Sequence, residues 1–454
     1  MDQVIDQLIA DFHERPLRTL TRRDTALPWV ANKIDSVIGM RRTGKTSLLH
    51  QVMADRIAGG WAKEQLLYLN FEDERLLPFQ TEDLQRIPDV YYRRDPTLRE
   101  RPCAFFFDEI QRVPGWERFV RRLLDTLDAH LCITGSSARL LSREIATELR
   151  GRVLATEIWP FSFGESLTHA GVDLPGARRP GARHRSELER RFRDWVVAGG
   201  FPEVQGLDEG LRVRVLQEYV DVVILRDVVE RHRVPSVAAL RQLVRHVLNN
   251  PGSLLSVHRI YNDLRSQGHA IAKGTVHEYL SHLEDAFFCH LIPIDTDSER
   301  VRAVNPRKVY LADAGLSTAC ARRREPAWGH LLENMVSVGF RRMGLEARYV
   351  RTAAGLEVDF VVEHPLRGDL PQVLVQVCAD PTAPETRERE VPALVAALRE
   401  RAGRDAIAPR AVIVTLSEEG SIDAATGRIP IVPGWRWFLS EPWDLVAPVM
   451  NDAG

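Results

Sequence analysis

The sequence predicts an α/β fold: a parallel sheet clothed by helices, then a helical segment, then a second α/β region. Three observations carry this. Short apolar runs at 34–38, 66–71, 103–107, 131–134 and 153–158 recur roughly 25–40 residues apart, with helical patterns between them. That spacing fits right-handed strand–helix–strand units, which build parallel sheets covered on both faces. From about 186 to 250 the apolar residues fall at three- and four-residue intervals, a helical period. Beyond about 309, strand-like and helical patterns mix again.

Length and composition bound the answer. A chain of 454 residues allows two to four structural units, and 44% hydrophobic with 27% charged residues describes a soluble globular protein. The net charge of −2 argues neither for nor against nucleic acid, because a local basic patch can hide in a neutral total. Cys103, Cys132, Cys289, Cys320 and Cys378 are scattered without a C-x-x-C pair, so their spacing suggests neither a disulfide framework nor a zinc site. A reducing cytoplasm is expected. The opening Met-Asp-Gln-Val shows no charged-then-apolar leader, and the absence of any run of about 18 apolar residues predicts no membrane span.

Residues 1–30 read as a short helix and linker. The segment Gly39-Met40-Arg41-Arg42-Thr43-Gly44-Lys45-Thr46 then matches G-x-x-x-x-G-K-[ST] between an apolar strand and the helix-like run from Ser47. Glycines let the backbone curl so that N–H groups face phosphate oxygens, and the helix N-terminus adds a favourable dipole. Lys45 would reach the β- and γ-phosphates of ATP, and Thr46 would hold Mg²⁺ through its hydroxyl. The bland alternative is a glycine-rich turn. Next, Phe105-Phe106-Phe107-Asp108-Glu109 is a buried strand that delivers two acids to its C-terminal edge, where such sheets bind ligands. Asp108 would coordinate Mg²⁺, and Glu109 would orient and deprotonate the attacking water.

Two further elements belong to this region. Ile133-Thr134-Gly135-Ser136-Ser137 ends a strand with a polar turn, where a hydroxyl or amide, Ser136 above all, would sense the γ-phosphate; otherwise it is an ordinary turn. Arg150 and Arg152, in Leu149-Arg150-Gly151-Arg152, close the helix before the fifth strand. In ring-forming ATPases an arginine here projects into the neighbouring subunit's site. The competing reading is a pair of cations complementing a helix C-terminus.

The Pro/Gly/Arg-rich stretch 171–185 reads as an exposed loop. Helical stretches at 256–265 and 275–285, separated by the Ser266-Gln267-Gly268-His269 turn and followed by a strand at 287–294, outline a winged helix-turn-helix. Arg259, Arg265, Lys273, His277 and His282 would meet DNA phosphates if this element binds nucleic acid; it would otherwise serve as an internal coupling element.

Taken together, G-M-R-R-T-G-K-T, L-N-F-E-D-E-R, F-F-D-E-I-Q, I-T-G-S-S-A-R-L-L, L-R-G-R, W-P-F-S-F, G-G-F-P-E and N-P-R-K-V-Y resemble a large prokaryotic family of AAA-type ATPases with a C-terminal domain of unknown function. The resemblance runs from about residue 30 to about 420. It implies a catalytic-glutamate P-loop core at 31–165 with strand order 5-1-4-3-2, a helical and winged-helix region at 186–295, and a region at 305–454 similar to the PD-(D/E)XK nuclease fold. It also makes Gly200 and Pro202, in Gly199-Gly200-Phe201-Pro202, similar to an element by which related ATPases contact nucleotide from a helical subdomain; the alternative is a turn between helices.

Nuclease folds of that type need a helix glutamate, a strand aspartate and an acid-x-lysine pair. Glu333 and Asp359 fill the first two places and could hold a metal, but Gln376 and Cys378 stand where the pair belongs. Glutamine can ligate a metal through its carbonyl; cysteine cannot replace the lysine. The expectation is a degenerate nuclease fold that binds without cutting, against an unrelated α/β domain or, least favoured, an active nuclease. The whole chain is thus expected to bind and hydrolyse ATP with Mg²⁺ and to couple nucleotide state to rearrangement of domains or subunits. A homo-oligomer, by default a hexameric ring, is the expected assembly, and DNA is a candidate partner. The rival is a regulatory or defence-type nucleic-acid-binding protein that uses ATP as a slow switch, and the presence of Glu109 favours hydrolysis.

Overall fold

In the computed structural model, which describes residues 1–136, 149, 151–172, 180–321, 325–380, 384–402 and 407–446, the chain divides into two units. One is Met1–Trp159 with Asp285–Phe287, the other Pro160–Glu284 with Phe288–Gly454. No helix among the described residues is long and apolar enough to cross a membrane.

The first unit is built on five strands: β1 Ile34–Ile38, β2 Leu66–Asn70, β3 Cys103–Asp108, β4 Ala129–Gly135 and β5 Val153–Glu157. All pair in parallel, in the order β2-β3-β4-β1-β5. Read from the other edge this is 5-1-4-3-2, as expected. Every residue of β1 and β3 is buried, as in parallel strands covered on both faces; β3 is apolar up to Asp108, whereas β1 buries the polar Asp35 and Ser36. The helix Lys45–Ala58 sends Leu48, Leu49, Val52 and Met53 into a core shared with Val37, Phe106 and Cys132. At the chain start, Asp2–Glu14 forms the expected helix, burying Ile5, Leu8 and Ile9. Its polar side pairs Asp2 with Arg86 and Arg93, and Asp6 with Arg94.

The second unit opens with helix Phe163–His169, whose capping box joins Ser162 and Glu165 reciprocally. Helices Ala182–Ala198, Glu209–Val222 and Val237–Asn249 follow, the second running on as a π-helical segment Val223–Glu230. The helix after the Pro/Gly/Arg-rich stretch therefore starts at Ala182, earlier than its sequence pattern indicates, and residues 173–179 lie outside the described residues. A small antiparallel sheet comes next, from β6 Leu254–Leu255, β7 Cys289–Ile292 and β8 Arg307–Leu311, in the order β6-β8-β7. Between β6 and β7 lie helices Val257–Ser266, capped by Ser256, and Lys273–Asp285. The strand expected from 287 begins only at Cys289, because Phe287 has φ +55°, outside extended geometry.

A six-stranded mixed sheet completes the unit: β9 Arg348–Arg351, β10 Glu357–Val362, β11 Val373–Val377, β12 Arg410–Thr415, β13 Gly420–Ala424 and β14 Gly427–Pro433, ordered β13-β14-β12-β11-β10-β9. One face packs Phe360, Val375 and Val412 against Leu332 and Met335 of helix Trp328–Arg342. The other packs Leu374, Cys378 and Ile413 against Leu394 and Leu398 of helix Pro384–Arg401. Strand β8 ties the small sheet to helix Trp328–Arg342, since the Leu311 backbone exchanges hydrogen bonds of 2.7 and 3.1 Å with the Asn334 amide.

Candidate active site

The loop after β1 owes its shape to two glycines and an arginine. Gly39 has φ +152°, and a Cβ there would collide with the carbonyl oxygen of Ile158, which lies beyond β5. Gly44, at φ +98°, is the N-cap of helix Lys45–Ala58, the end at which a helix leaves its first N–H groups without intrahelical partners. Buried Arg23 donates to the carbonyl of Thr43 at 2.7 Å and to that of Trp159, fastening the loop from outside. Thr43 Oγ1 donates to the Met40 carbonyl at 2.8 Å. Arg42 takes φ +67°, and Arg41 lies 3.3 Å from Glu72. Ser47 sits half-buried in the first turn of the helix.

Strands β3 and β4 bring the acids to this loop. Asp108 is buried and accepts three hydroxyls: Thr46 at 2.7 Å, Tyr68 at 2.9 Å, and Thr134. Burial raises the Asp108 pKa above the usual aspartate value, while the Thr134, Thr46 and Tyr68 hydroxyls oppose that rise. Glu109 adopts φ +54°, in the left-handed region; its N–H donates to Thr134 Oγ1 at 2.9 Å, and its carboxylate accepts from Gln111 at 2.5 Å. Lys45 Nζ lies 3.9 Å from Glu109 and donates to the Gly39 and Met40 carbonyls at 3.2 and 3.1 Å. A hydroxyl and a carboxylate in contact at the strand edges form an all-oxygen donor pair that fits Mg²⁺. The curled loop and helix N-terminus beside them fit a polyphosphate.

The other expected site residues divide. Ser136 is buried just past the end of β4, while Thr134 on the same strand makes the contact to Asp108 and Glu109. Arg152 is ion-paired with Asp125. Arg150 and Ser137 lie outside the described residues. Gly200 and Pro202 belong to the second unit. Gly200 N–H donates to Asp313 at 2.7 Å and its carbonyl accepts from Phe161 N–H at 2.6 Å, while a Cβ at Gly199 or Gly200 would collide with Asp313 or Phe161. Packing within this unit accounts for both glycines. Pro202 opens a short 3₁₀ turn. Burial pushes the Asp313 carboxyl up to about 7, against the N–H bonds of Gly200 and Gly315.

A second polar cluster lies wholly within the second unit. Lys308 Nζ, from β8, sits 2.8 Å from Glu357, 2.9 Å from Asp359 and 3.1 Å from Glu333. Tyr310 donates to Glu333 at 2.7 Å, and Gln376 donates to Asp359 at 2.8 Å and to Glu390 at 2.5 Å. Glu333, Asp359 and Gln376 therefore meet as the sequence indicated. Cys378 packs into the apolar layer under helix Pro384–Arg401, and the lysine that stands among these acids is Lys308, from β8. Burial works against its ammonium, yet Asp359, Glu333 and Glu357 hold its pKa well above the usual lysine value. Of the five basic residues expected on the helix pair, Arg259, Arg265, Lys273 and His277 are exposed. His282 is half-buried, its ring stacked on His232 at 3.7 Å.

Arg23, Tyr68, Thr134 and Lys308 are the residues that sequence reasoning missed. Lys308 alone left a clear signal, a cation at the head of the otherwise apolar run Val309-Tyr310-Leu311, where lysine is rarely buried without partners.

Comparison with known proteins agrees with the first unit's architecture. Residues 31–167 match an AAA domain family, and residues 189–327 match a domain of unknown function, DUF8612. An uncharacterized protein of Methanocaldococcus jannaschii, MJ1544, is 32% identical over 426 residues, covering 92% of this chain and 91% of that protein. An uncharacterized protein of Haemophilus influenzae is 31% identical over 330 residues, covering 72% of this chain and 79% of its own length. Among solved structures, the Walker-type ATPase PABY2304 of Pyrococcus abyssi aligns at 17% identity and TM-score 0.39, over 67% of this chain and 99% of that one. With a P-loop, an adjoining acid pair and the strand order that unites them, this chain has the AAA-type P-loop ATPase fold and belongs to one family with MJ1544.

Proposed function

We propose that the chain binds and hydrolyses ATP with Mg²⁺ and uses nucleotide state to rearrange its units or subunits. The observation that carries this reading is the contact of Thr46 with Asp108, with Glu109 and Lys45 3.9 Å apart beside it. Thr46 and Asp108 would hold Mg²⁺, which would supply charge neutralisation at the phosphates. Lys45 and the N–H groups of the Gly39–Thr46 loop, flanked by Arg41, Arg42 and Ser47, bind and orient the phosphate chain. Glu109 takes the proton of the attacking water, and Thr134 holds that acid and Asp108 in one register. Arg150 or Arg152 completes the site of a neighbouring subunit, with a hexameric ring as the default assembly. Exposed Arg259, Arg265, Lys273 and His277 make the helix pair of the second unit the candidate DNA contact, in the manner of a winged helix.

Glu109→Gln should keep ATP binding and lower hydrolysis roughly 10²-fold or more, the usual contribution of a positioned base. Lys45→Ala should weaken binding itself. Phosphate release at the wild-type rate by the Glu109 variant would sink the assignment.

A further inference from the structure

A second ligand group lies in the first unit, at the opposite end of strand β1 from the P-loop. Asp35 is the second residue of β1, and the parallel register sets it beside Cys132 on β4, with His130 two residues earlier on the same face. One ligand atom from each of the three lies within 4.8 Å of the others. Asp35 and Cys132 are fully buried, and His130 nearly so. The His130 imidazole meets Asp35 Oδ2 at 2.7 Å, and the Trp29 backbone N–H donates to the same oxygen at 3.2 Å. Asp35 Oδ1 has no hydrogen-bond partner among the described residues. A buried carboxylate oxygen left in that state is costly, and such groups call for an explanation.

We propose that Asp35, His130 and Cys132 form a zinc-binding site at the start of the β1–β4 pair. The donor set decides the metal. Thiolate, imidazole and carboxylate together suit Zn²⁺, whereas Mg²⁺ and Ca²⁺ take oxygen ligands. Ligand atoms around tetrahedral zinc stand about 3.5 Å apart, so side-chain shifts of about 1 Å, including an opening of the 2.7 Å His130–Asp35 contact, fit the present arrangement around an ion. Water or the second Asp35 oxygen fills the fourth position. The imidazole is already oriented: its ring stacks on Trp29 at 3.7 Å and 12°, and the Arg56 guanidinium lies 3.7 Å from that indole. Burial, followed by the Asp35 charge, raises the Cys132 thiol pKa well above its usual value, a tendency that coordination reverses when the thiol proton is released. C-x-x-C spacing could not reveal this site, because its ligands come from strands far apart in sequence and adjacent in the sheet.

The test uses the full chain, freed of metal with a chelator and titrated with Zn²⁺ and, separately, Co²⁺. The expected result is one tightly bound Zn²⁺ per chain and a cobalt spectrum with sulfur-to-metal charge-transfer and tetrahedral bands. Cobalt at Thr46 and Asp108 would meet oxygen only and give no sulfur band, so the two sites are separable. Cys132→Ser should abolish the charge-transfer band, and His130→Gln, at the least buried of the three positions, should lower zinc affinity at least about tenfold. The wild-type titration needs no variant to fold. Absence of a sulfur band at one equivalent of Co²⁺, or its persistence in Cys132→Ser, overturns the proposal.

Discussion

Thr134 shows how one hydroxyl can organise a site. Its oxygen donates to Asp108 and accepts the Glu109 N–H at 2.9 Å, joining the end of β4 to both acids of β3. Glu109 holds left-handed backbone geometry at φ +54°, which most side chains avoid, and this bond helps keep it there. Thr134→Val preserves shape and removes the donor, leaving a buried N–H and a carboxylate short of partners. Such a loss costs about 1–3 kcal/mol. If it falls on the geometry of Glu109, turnover should drop roughly tenfold to a hundredfold with little change in ATP affinity, and Thr134→Ser should restore most of it. Equal turnover in the valine and wild-type proteins would separate Thr134 from the chemistry. Gly39, Lys45, Thr46, Asp108 and Glu109 were legible because each is tied to a local pattern with one chemical use. The Thr134 contact was not, because it depends on which strand lies beside β3, and Ser136 two residues on has the same functional group.

Strand β8 and its neighbours carry the corresponding lesson for elements. A helix near 330, strands at 357–362 and 373–378 and their acids could be read from pattern, but the antiparallel pairing that presents Lys308 to them could not. Burial, then the charge of Asp359, pushes the Glu333 carboxyl up to about 8. From the ordinary glutamate range up to about 8 the folded chain keeps a proton that the unfolded chain has released. The stability due to that proton is therefore complete below the ordinary value and is lost as pH rises through about 8. Denaturant midpoints should fall across that interval, and Glu333→Gln should make the decline shallower, leaving the part due to Asp313. Parallel profiles for variant and wild type would contradict the assignment. The same cluster bears on nuclease chemistry. Lys308 is only 3% exposed and already bonds Glu333, Glu357 and Asp359, so a catalytic metal would have to displace an ammonium from the acids that would hold it. Plasmid and single-stranded DNA incubated with Mg²⁺ or Mn²⁺ should stay intact, with or without ATP, and any binding should weaken steeply with salt. Metal-dependent cleavage that vanishes in Asp359→Ala would show that these acids hold a working metal in spite of Lys308.

At the scale of the whole molecule the question is whether one chain holds a complete ATPase site. Arg152 immediately precedes β5, whose first residue Val153 is in register with Ile34 at the start of β1. The P-loop leaves β1 at its other end, after Ile38. A five-residue strand spans about 15 Å, so Arg152 stands a strand's length from the loop of its own chain and cannot reach phosphates bound there. If it takes part in hydrolysis, it does so in a neighbouring copy. Its ion pair with Asp125 is no obstacle, because exposed pairs of this kind are worth about 0–1 kcal/mol and exchange readily. Arg152→Ala should then lower turnover about 10³-fold or more while leaving nucleotide affinity nearly intact, as loss of an arginine finger does. The same comparison made with Arg150→Ala identifies which of the two acts. Specific activity of the wild type should climb with protein concentration as subunits assemble, and mixing Arg152→Ala with Glu109→Gln chains should recover activity at interfaces that pair an intact arginine with an intact glutamate. A chain that remains monomeric with ATP and hydrolyses it at a rate independent of concentration would confine catalysis to the single subunit.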